Sequence, residues 1–243
     1  MFEITMAGPS KNALNGEMLT FIIDQLRVAA GRPVLLTGTG NAFSAGLDLK
    51  YVASLDDSKM GAFLRLLEDC MVALYLYPGP TVALVNGHAI AGGCVLTQCC
   101  DRRVMIADPW AKMGLNEVAI GVRFPPRTLA IVRHRVPERH HEEVLLGAQL
   151  FDPQNALRLG LIDELHSAES APPYATDVAR VRLKELASSP AAAYAATKAD
   201  LRGTKEALCS DEEEERRLAG MLGMWTSQVV KDKIAAVLAR KGR

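Results

Sequence analysis

Short apolar segments that end at glycine or proline alternate with helical segments through the first half of the chain. The segments predicted as strands are residues 2–6, 33–37, 81–85 and 103–107. Apolar residues at helical spacing predict the intervening helices at 14–30, 60–77 and 92–100. Because strands that alternate with helices need crossover connections, the pattern predicts an α/β fold with a mostly parallel sheet.

The pattern changes after about residue 125. From there the sequence predicts helices alone, at 126–136, 138–147, 153–159, 172–188, 190–202, 211–223 and 225–240. No internal repeat is evident, and no low-complexity linker divides the chain. We therefore expect one α/β core domain followed by a helical C-terminal part.

Charge and composition exclude several classes of function. Lys plus Arg and Asp plus Glu number 28 each, which argues against nucleic acid or an anionic membrane as a partner. No secretory signal and no apolar run long enough for a membrane span is visible. Five cysteines without C-x-x-C spacing indicate reduced thiols, so we expect a cytoplasmic protein.

Several well-known motifs are present only in part and lack a required residue or spacing. The third glycine of a dinucleotide fingerprint that starts at Gly38 falls on Phe43. The glycines at 87 and 92 have Walker-like spacing, but Gly93 stands where the phosphate-binding lysine is required. His140 and His141 are adjacent and lack the spacing of metal ligands on one helix face. We therefore predict no metal site.

Two glycine-rich loops remain, and each follows a predicted strand. They are NAFSAGLDLK at 41–50 and NGHAIAGGC at 86–94. Ligands of α/β proteins bind at the carboxyl ends of parallel strands, and small residues let a ligand approach the backbone. A helix that starts at Gly92 would also present free N–H groups there. One interpretation is that N–H groups of the two loops converge on one oxygen; the other is tight turns with close helix–strand packing.

At this point the sequence resembles the crotonase (enoyl-CoA hydratase/isomerase) superfamily. The segments that carry the resemblance are NAL at 12–14, LLTGTGNAFSAGLDL at 35–49, VNGHAIAGGCVL at 85–96, CDRRVMIADPWAKMGLNEVAIGV at 100–122 and LGAQLFDPQNALRLGLIDEL at 146–165. The resemblance implies a crotonase-like ββα superhelix core with the active site at 1–165. It also implies a helical C-terminal region at 166–243 that serves trimerisation and completes the acyl pocket.

The resemblance also implies site residues. The oxyanion hole for the thioester oxygen of an acyl-CoA falls on the backbone N–H groups of Ala45 and Gly92. The loop that contacts the CoA comprises Gly46, Leu47, Asp48 and Leu49, and Lys50 is a candidate partner for a CoA phosphate. A homotrimer or a dimer of trimers is expected, and no cofactor is needed because the CoA thioester is the substrate. The family usually opens with another strand, and this chain begins after it.

Departures from the family pattern indicate one reaction in particular. Hydratases of the family carry two glutamates, and the first of these positions holds Val95. Glu117, in the segment GLNE, is the remaining carboxylate and the predicted catalytic residue. The residues of this segment resemble the corresponding segment of Δ3,Δ2-enoyl-CoA isomerases. The same subgroup is resembled by the C-terminal sequence MWTSQVVKDKIAAVLARK at 224–241. Moving a double bond needs one group that removes and returns a proton, whereas hydration normally takes two groups.

The neighbours of Glu117 and two rival functions complete the sequence-based expectations. Leu115, Val118 and Ile120 are expected to raise the pKa of Glu117 by excluding water. The first rival is an enoyl-CoA hydratase whose acid is supplied by His88, Asp48 or Tyr51. The second rival is a non-catalytic acyl-CoA-binding homologue.

Overall fold

The computed structural model describes residues 1–167 and 174–241. Its strands are β1 Phe2–Met6, β2 Val34–Gly38, β3 Ala42–Ser44, β4 Thr81–Val85, β5 His88–Ile90, β6 Arg102–Ala107, β7 Met113–Gly114 and β8 Glu164–Ser167. Strands β1, β2, β4, β6 and β8 form one sheet in that order, with every neighbouring pair parallel. The predicted mostly parallel sheet is confirmed.

Helices of the first half are α1 Gly16–Ala29, α2 Leu49–Ala53, α3 Asp57–Tyr75, α4 Gly92–Cys99, α5 Glu117–Ile120 and α6 Pro126–Arg135. Those of the second half are α7 Pro153–Arg158, α8 Tyr174–Leu186, α9 Ala191–Arg202, α10 Lys205–Leu208, α11 Asp211–Ala219, α12 Leu222–Trp225 and α13 Gln228–Lys241. No described helix is both long enough and apolar enough to cross a membrane.

A second, smaller parallel sheet consists of β3, β5 and β7. Each of its strands follows a strand of the large sheet along the chain: β3 follows β2, β5 follows β4, and β7 follows β6. A helix follows each of these pairs, so the chain repeats a strand–strand–helix unit three times. This is the predicted ββα superhelix, although the sequence showed no repeat.

Two sequence-based expectations about the second half are wrong. Residues after 125 are not helical alone, because β8 pairs with β6 and forms the end of the large sheet. The single helix predicted at 138–147 is instead a 3-10 turn at Glu138–His140 and a π-helical turn at Glu142–Leu146. The predicted helix 172–188 corresponds to α8, and residues 172 and 173 lie outside the described residues.

A buried ion-pair cluster ties the C-terminal helices to the large sheet. Asp101, directly before β6, accepts hydrogen bonds from the Lys198 ammonium at 2.9 Å and from the Arg202 guanidinium at 2.6 Å, both on α9. Its carboxylate also accepts from the backbone N–H of Thr81 at 2.7 Å. Burial lowers the pKa of Lys198 to about 8, and the nearby carboxylate opposes that decrease. The carboxylate of Asp101 therefore compensates two buried cations.

We expect the variant Asp101→Asn to lower the free energy of unfolding by roughly 3–5 kcal/mol, because it leaves two buried cations uncompensated. Chemical denaturation at pH 7 measures the change. Asp24→Asn is the matched control, since Asp24 pairs with Arg27 in an exposed contact whose loss changes stability by less than about 1 kcal/mol. Equal effects of the two substitutions would show that the buried cluster does not anchor the C-terminal helices.

Candidate active site

A cavity of about 170 Å³ lies where the small sheet, α3 and the C-terminal helices meet. Most of its wall is apolar and includes Leu67 and Met71 of α3, Val95 of α4 and Phe124. The predicted site residues Ala45, Leu47, Leu49, Gly92 and Glu117 all line it. The cavity therefore brings together the two glycine-rich loops and the remaining carboxylate.

Direct backbone contact holds the two glycine-rich loops together. A Cβ atom on Gly46, whose φ is +82°, would lie 2.6 Å from the carbonyl oxygen of Ile90. A Cβ atom on Gly93 would lie 2.5 Å from the carbonyl oxygen of Ser44. Any side chain at either position would separate the loops. The interpretation as tight turns with close packing is therefore confirmed, and convergence of the N–H groups on one oxygen stays a prediction.

Gly92 is the first residue of α4, a helix whose residues are all buried. The first N–H groups of a helix have no acceptor within the helix, so the Gly92 N–H is available for a ligand, and the positive end of the helix dipole adds to its effect. Ala91, the preceding residue, adopts the unusual φ of +49° and also lines the cavity. Such backbone strain clusters at functional sites.

Ala45 lines the same cavity, but its N–H already has an acceptor. It donates to the carbonyl oxygen of Lys11 at 3.0 Å. The Ala45 N–H is therefore occupied in this structure, and its role as an oxyanion donor stays a prediction. Sequence reasoning missed this contact, because it gave the segment before Asn12 no role.

Glu117 is the first residue of the one-turn helix α5 and is 8% exposed. Its Oε2 atom is buried without a hydrogen-bond partner. Burial raises the pKa of Glu117 to about 8, because the charged form is poorly solvated there. The predicted direction of the shift is confirmed, but Val118 is exposed and contributes little to it. A carboxyl group with such a pKa can both take and return a proton near neutral pH.

The remaining predicted binding residues divide into two groups. Leu47 and Leu49 line the cavity, and the backbone of Gly46 contacts the second loop. The carboxylate of Asp48 caps α2 by accepting hydrogen bonds from the N–H groups of Lys50 and Tyr51. Asp48 therefore shapes the loop, and its contact with a CoA remains a prediction.

The three alternative acids for a hydratase are not among the described residues that line the cavity. Asp48 caps α2, and the ring of Tyr51 packs edge-on against Phe63. His88 accepts a hydrogen bond from the backbone N–H of Lys112 through its Nδ1 atom. Val95, at the position of the first hydratase glutamate, is buried and lines the cavity with an apolar side chain.

Sequence reasoning missed the residues that the C-terminal helices contribute. Trp225, at the end of α12, is 4% exposed and lines the cavity, as do Val230, Ile234 and Val237 of α13. The spacing of the last three residues is typical of one helix face and could have indicated a buried surface. That the C-terminal helices complete the pocket was implied by the family resemblance. The individual residues were not.

The sequence of this chain is similar to those of known proteins. The sequence profile described as enoyl-CoA hydratase/isomerase matches residues 1–235. A putative enoyl-CoA hydratase of Thermus thermophilus is 33% identical, over 95% of this chain and 91% of that protein. The mitochondrial enoyl-CoA delta isomerase 1 of Mus musculus is 32% identical, over 66% of this chain and 57% of that protein.

Solved structures share the fold. The crystal structure of human mitochondrial delta3-delta2-enoyl-CoA isomerase superposes with a TM-score of 0.88, covering 99% of this chain and 94% of that chain. The two sequences are 24% identical. At this level of identity the likeness establishes the architecture, and the chemistry has to be argued from the site.

We expect Gly93→Ala to lower the free energy of unfolding by roughly 1–3 kcal/mol, because the added methyl group would overlap the backbone of Ser44. Gly223→Ala is the control, since no atom lies within 4 Å of its Cβ position, and it should be neutral or stabilise by up to about 1 kcal/mol. Thermal and chemical denaturation measure both. If Gly93→Ala unfolds like the unsubstituted protein, the loops are not held by this contact.

Proposed function

Because this chain belongs to the enoyl-CoA hydratase/isomerase family, we propose that it is an acyl-CoA isomerase that moves a double bond from the 3- to the 2-position. One observation carries the proposal. Among the described residues that line the cavity, Glu117 is the single carboxylic acid, and none is Lys, Arg, His, Asp, Cys or Tyr. A reaction that runs in this cavity therefore has one acid–base group available.

Double-bond migration fits one such group. The Glu117 carboxylate removes a proton from carbon 2 of the 3-enoyl thioester, and the electron pair delocalises through the double bond onto the thioester oxygen. The Gly92 N–H donates to that oxygen, where negative charge develops, and the Ala45 N–H can do so only by leaving the Lys11 carbonyl; one such donor is worth ~10²–10³ in rate. The protonated Glu117 then returns the proton to carbon 4, which leaves the double bond between carbons 2 and 3. The apolar wall keeps the dienolate from taking a proton from water.

Hydration is the competing reaction within the family, and a relative named as a putative enoyl-CoA hydratase makes it the rival to test. It requires a water molecule held against carbon 3 and, in general, a second acid–base group. Val95 cannot hold that water by a hydrogen bond.

We also propose that the chain assembles as a homotrimer or a dimer of trimers. Light scattering after size-exclusion chromatography measures the assembly.

We expect Glu117→Gln to lower kcat for 3-enoyl-CoA isomerisation by about 10³-fold or more, because both proton transfers use this carboxyl group. Affinity for a saturated acyl-CoA should stay within a few-fold of the unsubstituted protein. Glu142→Gln, which changes an exposed glutamate outside the cavity, is the control and should leave turnover unchanged.

Product analysis separates the alternatives. Formation of 3-hydroxyacyl-CoA from a 2-enoyl-CoA, without isomerisation of 3-enoyl-CoA, would replace the proposal with hydration. Binding of CoA thioesters without turnover of either substrate would indicate a non-catalytic homologue.

The raised pKa of Glu117 predicts the pH dependence. Because the base must be ionised and its pKa is about 8, kcat/KM should rise with pH, about tenfold per unit well below pH 8, and level off above it. Steady-state rates measured from about pH 5.5 to about pH 9.5 cover both limbs of this profile. A rate that does not change over this range is expected of a carboxyl group with the ordinary glutamate pKa of 4.5, and it would show that Glu117 is solvated during turnover.

A further inference from the structure

Buried polar atoms without a partner are concentrated at the cavity. Five buried side-chain atoms lack a hydrogen bond to any described residue, and four of them belong to residues that line the cavity. These four are Asn116 Oδ1, Glu117 Oε2, Thr128 Oγ1 and Trp225 Nε1. The fifth, Arg127 Nη1, forms an ion pair with Glu214 at 2.5 Å. A buried polar group without a partner is unfavourable, so a partner for each of the four has to be sought.

Three of the four atoms are accounted for by groups close to them. Glu117 is the acid–base group of the proposed reaction, and Asn116 is only half-buried, so a small rotation can expose its amide to water. The Thr128 hydroxyl can turn its hydrogen towards the Glu68 carboxylate, which already accepts from the Thr128 N–H at 2.6 Å. The indole N–H of Trp225 has no such freedom, because it lies in the plane of a rigid ring and can only donate. Buried indole N–H groups usually have an acceptor, and this one has none within the described chain.

The helices that carry this wall are packed on both α3 and α5. Leu222, on the same helix α12 as Trp225, lies 3.6 Å from the position that a Cβ of Gly61 on α3 would take. On α13, Lys233 donates to the carbonyl of Ala119 at 3.2 Å, and Ala119 belongs to α5, the helix that begins with the acid–base residue. Trp225 is itself 4% exposed and lines the cavity. A ligand in the cavity can therefore supply the acceptor that the chain does not.

The proposed reaction leaves one part of the substrate for Trp225. The Gly92 N–H is assigned to the thioester oxygen, and Glu117 is assigned to carbons 2 and 4. The part of the acyl chain beyond carbon 4 has no assigned polar partner. A plain hydrocarbon chain offers the indole N–H no acceptor, whereas an oxygen atom on the chain does.

The charge of the cavity wall restricts the kind of oxygen. Among the described residues that line the cavity, none is Lys, Arg or His. A carboxylate moved out of water without a cation beside it is strongly disfavoured. The oxygen of a ketone or a hydroxyl group carries no charge and accepts a hydrogen bond. An uncharged oxygen on an otherwise apolar chain therefore fits this wall.

We propose that Trp225 is a specificity-determining residue whose indole N–H donates to an uncharged oxygen, of a ketone or a hydroxyl group, on the acyl chain beyond carbon 4. This inference rests on the proposed function, because it takes an acyl-CoA as the ligand, and it adds the class of acyl group. A site that hydrogen-bonds a substrate oxygen discriminates against the analogue without it, because the buried polar group is then left unpaired. The preferred substrate is thus an oxygenated 3-enoyl-CoA.

Trp225→Phe removes the indole N–H and keeps an aromatic ring in the wall. Titration calorimetry with octanoyl-CoA and its 5-, 6- and 7-oxo derivatives measures binding without turnover, because these saturated esters have no double bond to move. We expect at least one oxo ester to bind about tenfold more tightly than octanoyl-CoA, and Trp225→Phe to reduce this ratio to about one. A purely structural role of the indole would change the affinities of all four esters equally and keep the ratio.

Trp110→Phe is the matched control, since Trp110 is 82% exposed and does not line the cavity; it should keep the ratio of the unsubstituted protein. A preference that survives Trp225→Phe, or no preference for any oxo ester in the unsubstituted protein, would overturn the assignment. The second of these results does not depend on the folding of a variant. A protein that shows the preference but does not isomerise a 3-enoyl-CoA would refute the proposed function alone, and failure to bind any of the four esters would refute both.

Discussion

Backbone contact between two loops is the constraint on which the site depends. Gly46 and Gly93 leave no room for side chains, and this allows the turn after β3 to rest against the start of α4. The two sheets position this contact. Each strand of the small sheet follows an inner strand of the large sheet along the chain and leads towards the cavity. In the function we propose, a rigid backbone suits the Gly92 N–H, because a donor fixed in advance needs no reorganisation when charge develops.

The apolar cavity wall determines the protonation behaviour of the Glu117 carboxyl group. An apolar wall excludes water, and the same exclusion raises the pKa of Glu117 and leaves its Oε2 without a partner. A buried acid without a partner is unfavourable for folding, so its presence is best explained by chemistry that needs it. Val95 extends the apolar wall where a hydratase of the family has a second glutamate. In the function we propose, this wall favours reactions that move a proton along a substrate over reactions that add water.

The sequence predicted four of the five strands of the large sheet because their apolar runs are strong local signals, and the family resemblance indicated Glu117, which lines the cavity. Strand β4 is buried at every residue, and its run of apolar residues shows this directly. The strands of the small sheet contain two or three residues each, too few for any alternation to be visible. The positive φ values of Ser10 and Lys11 could not be predicted, because neither residue is glycine and the turn is held by contacts with residues distant in sequence. Trp225 was missed for a similar reason, since a buried aromatic residue gives no indication of which cavity it lines.

Part of the cavity wall comes from the far end of the chain. Trp225, Val230 and Ile234 are synthesised long after the strands that hold Ala45 and Gly92. Domains generally form from the N-terminal side during translation, so the two sheets can assemble while this side of the pocket is still missing. Until the last helices dock, the cavity is open on one side, so Glu117 is less buried and its pKa is raised less. A nascent chain would therefore hold the two sheets before Glu117 reaches the burial that the complete cavity gives it.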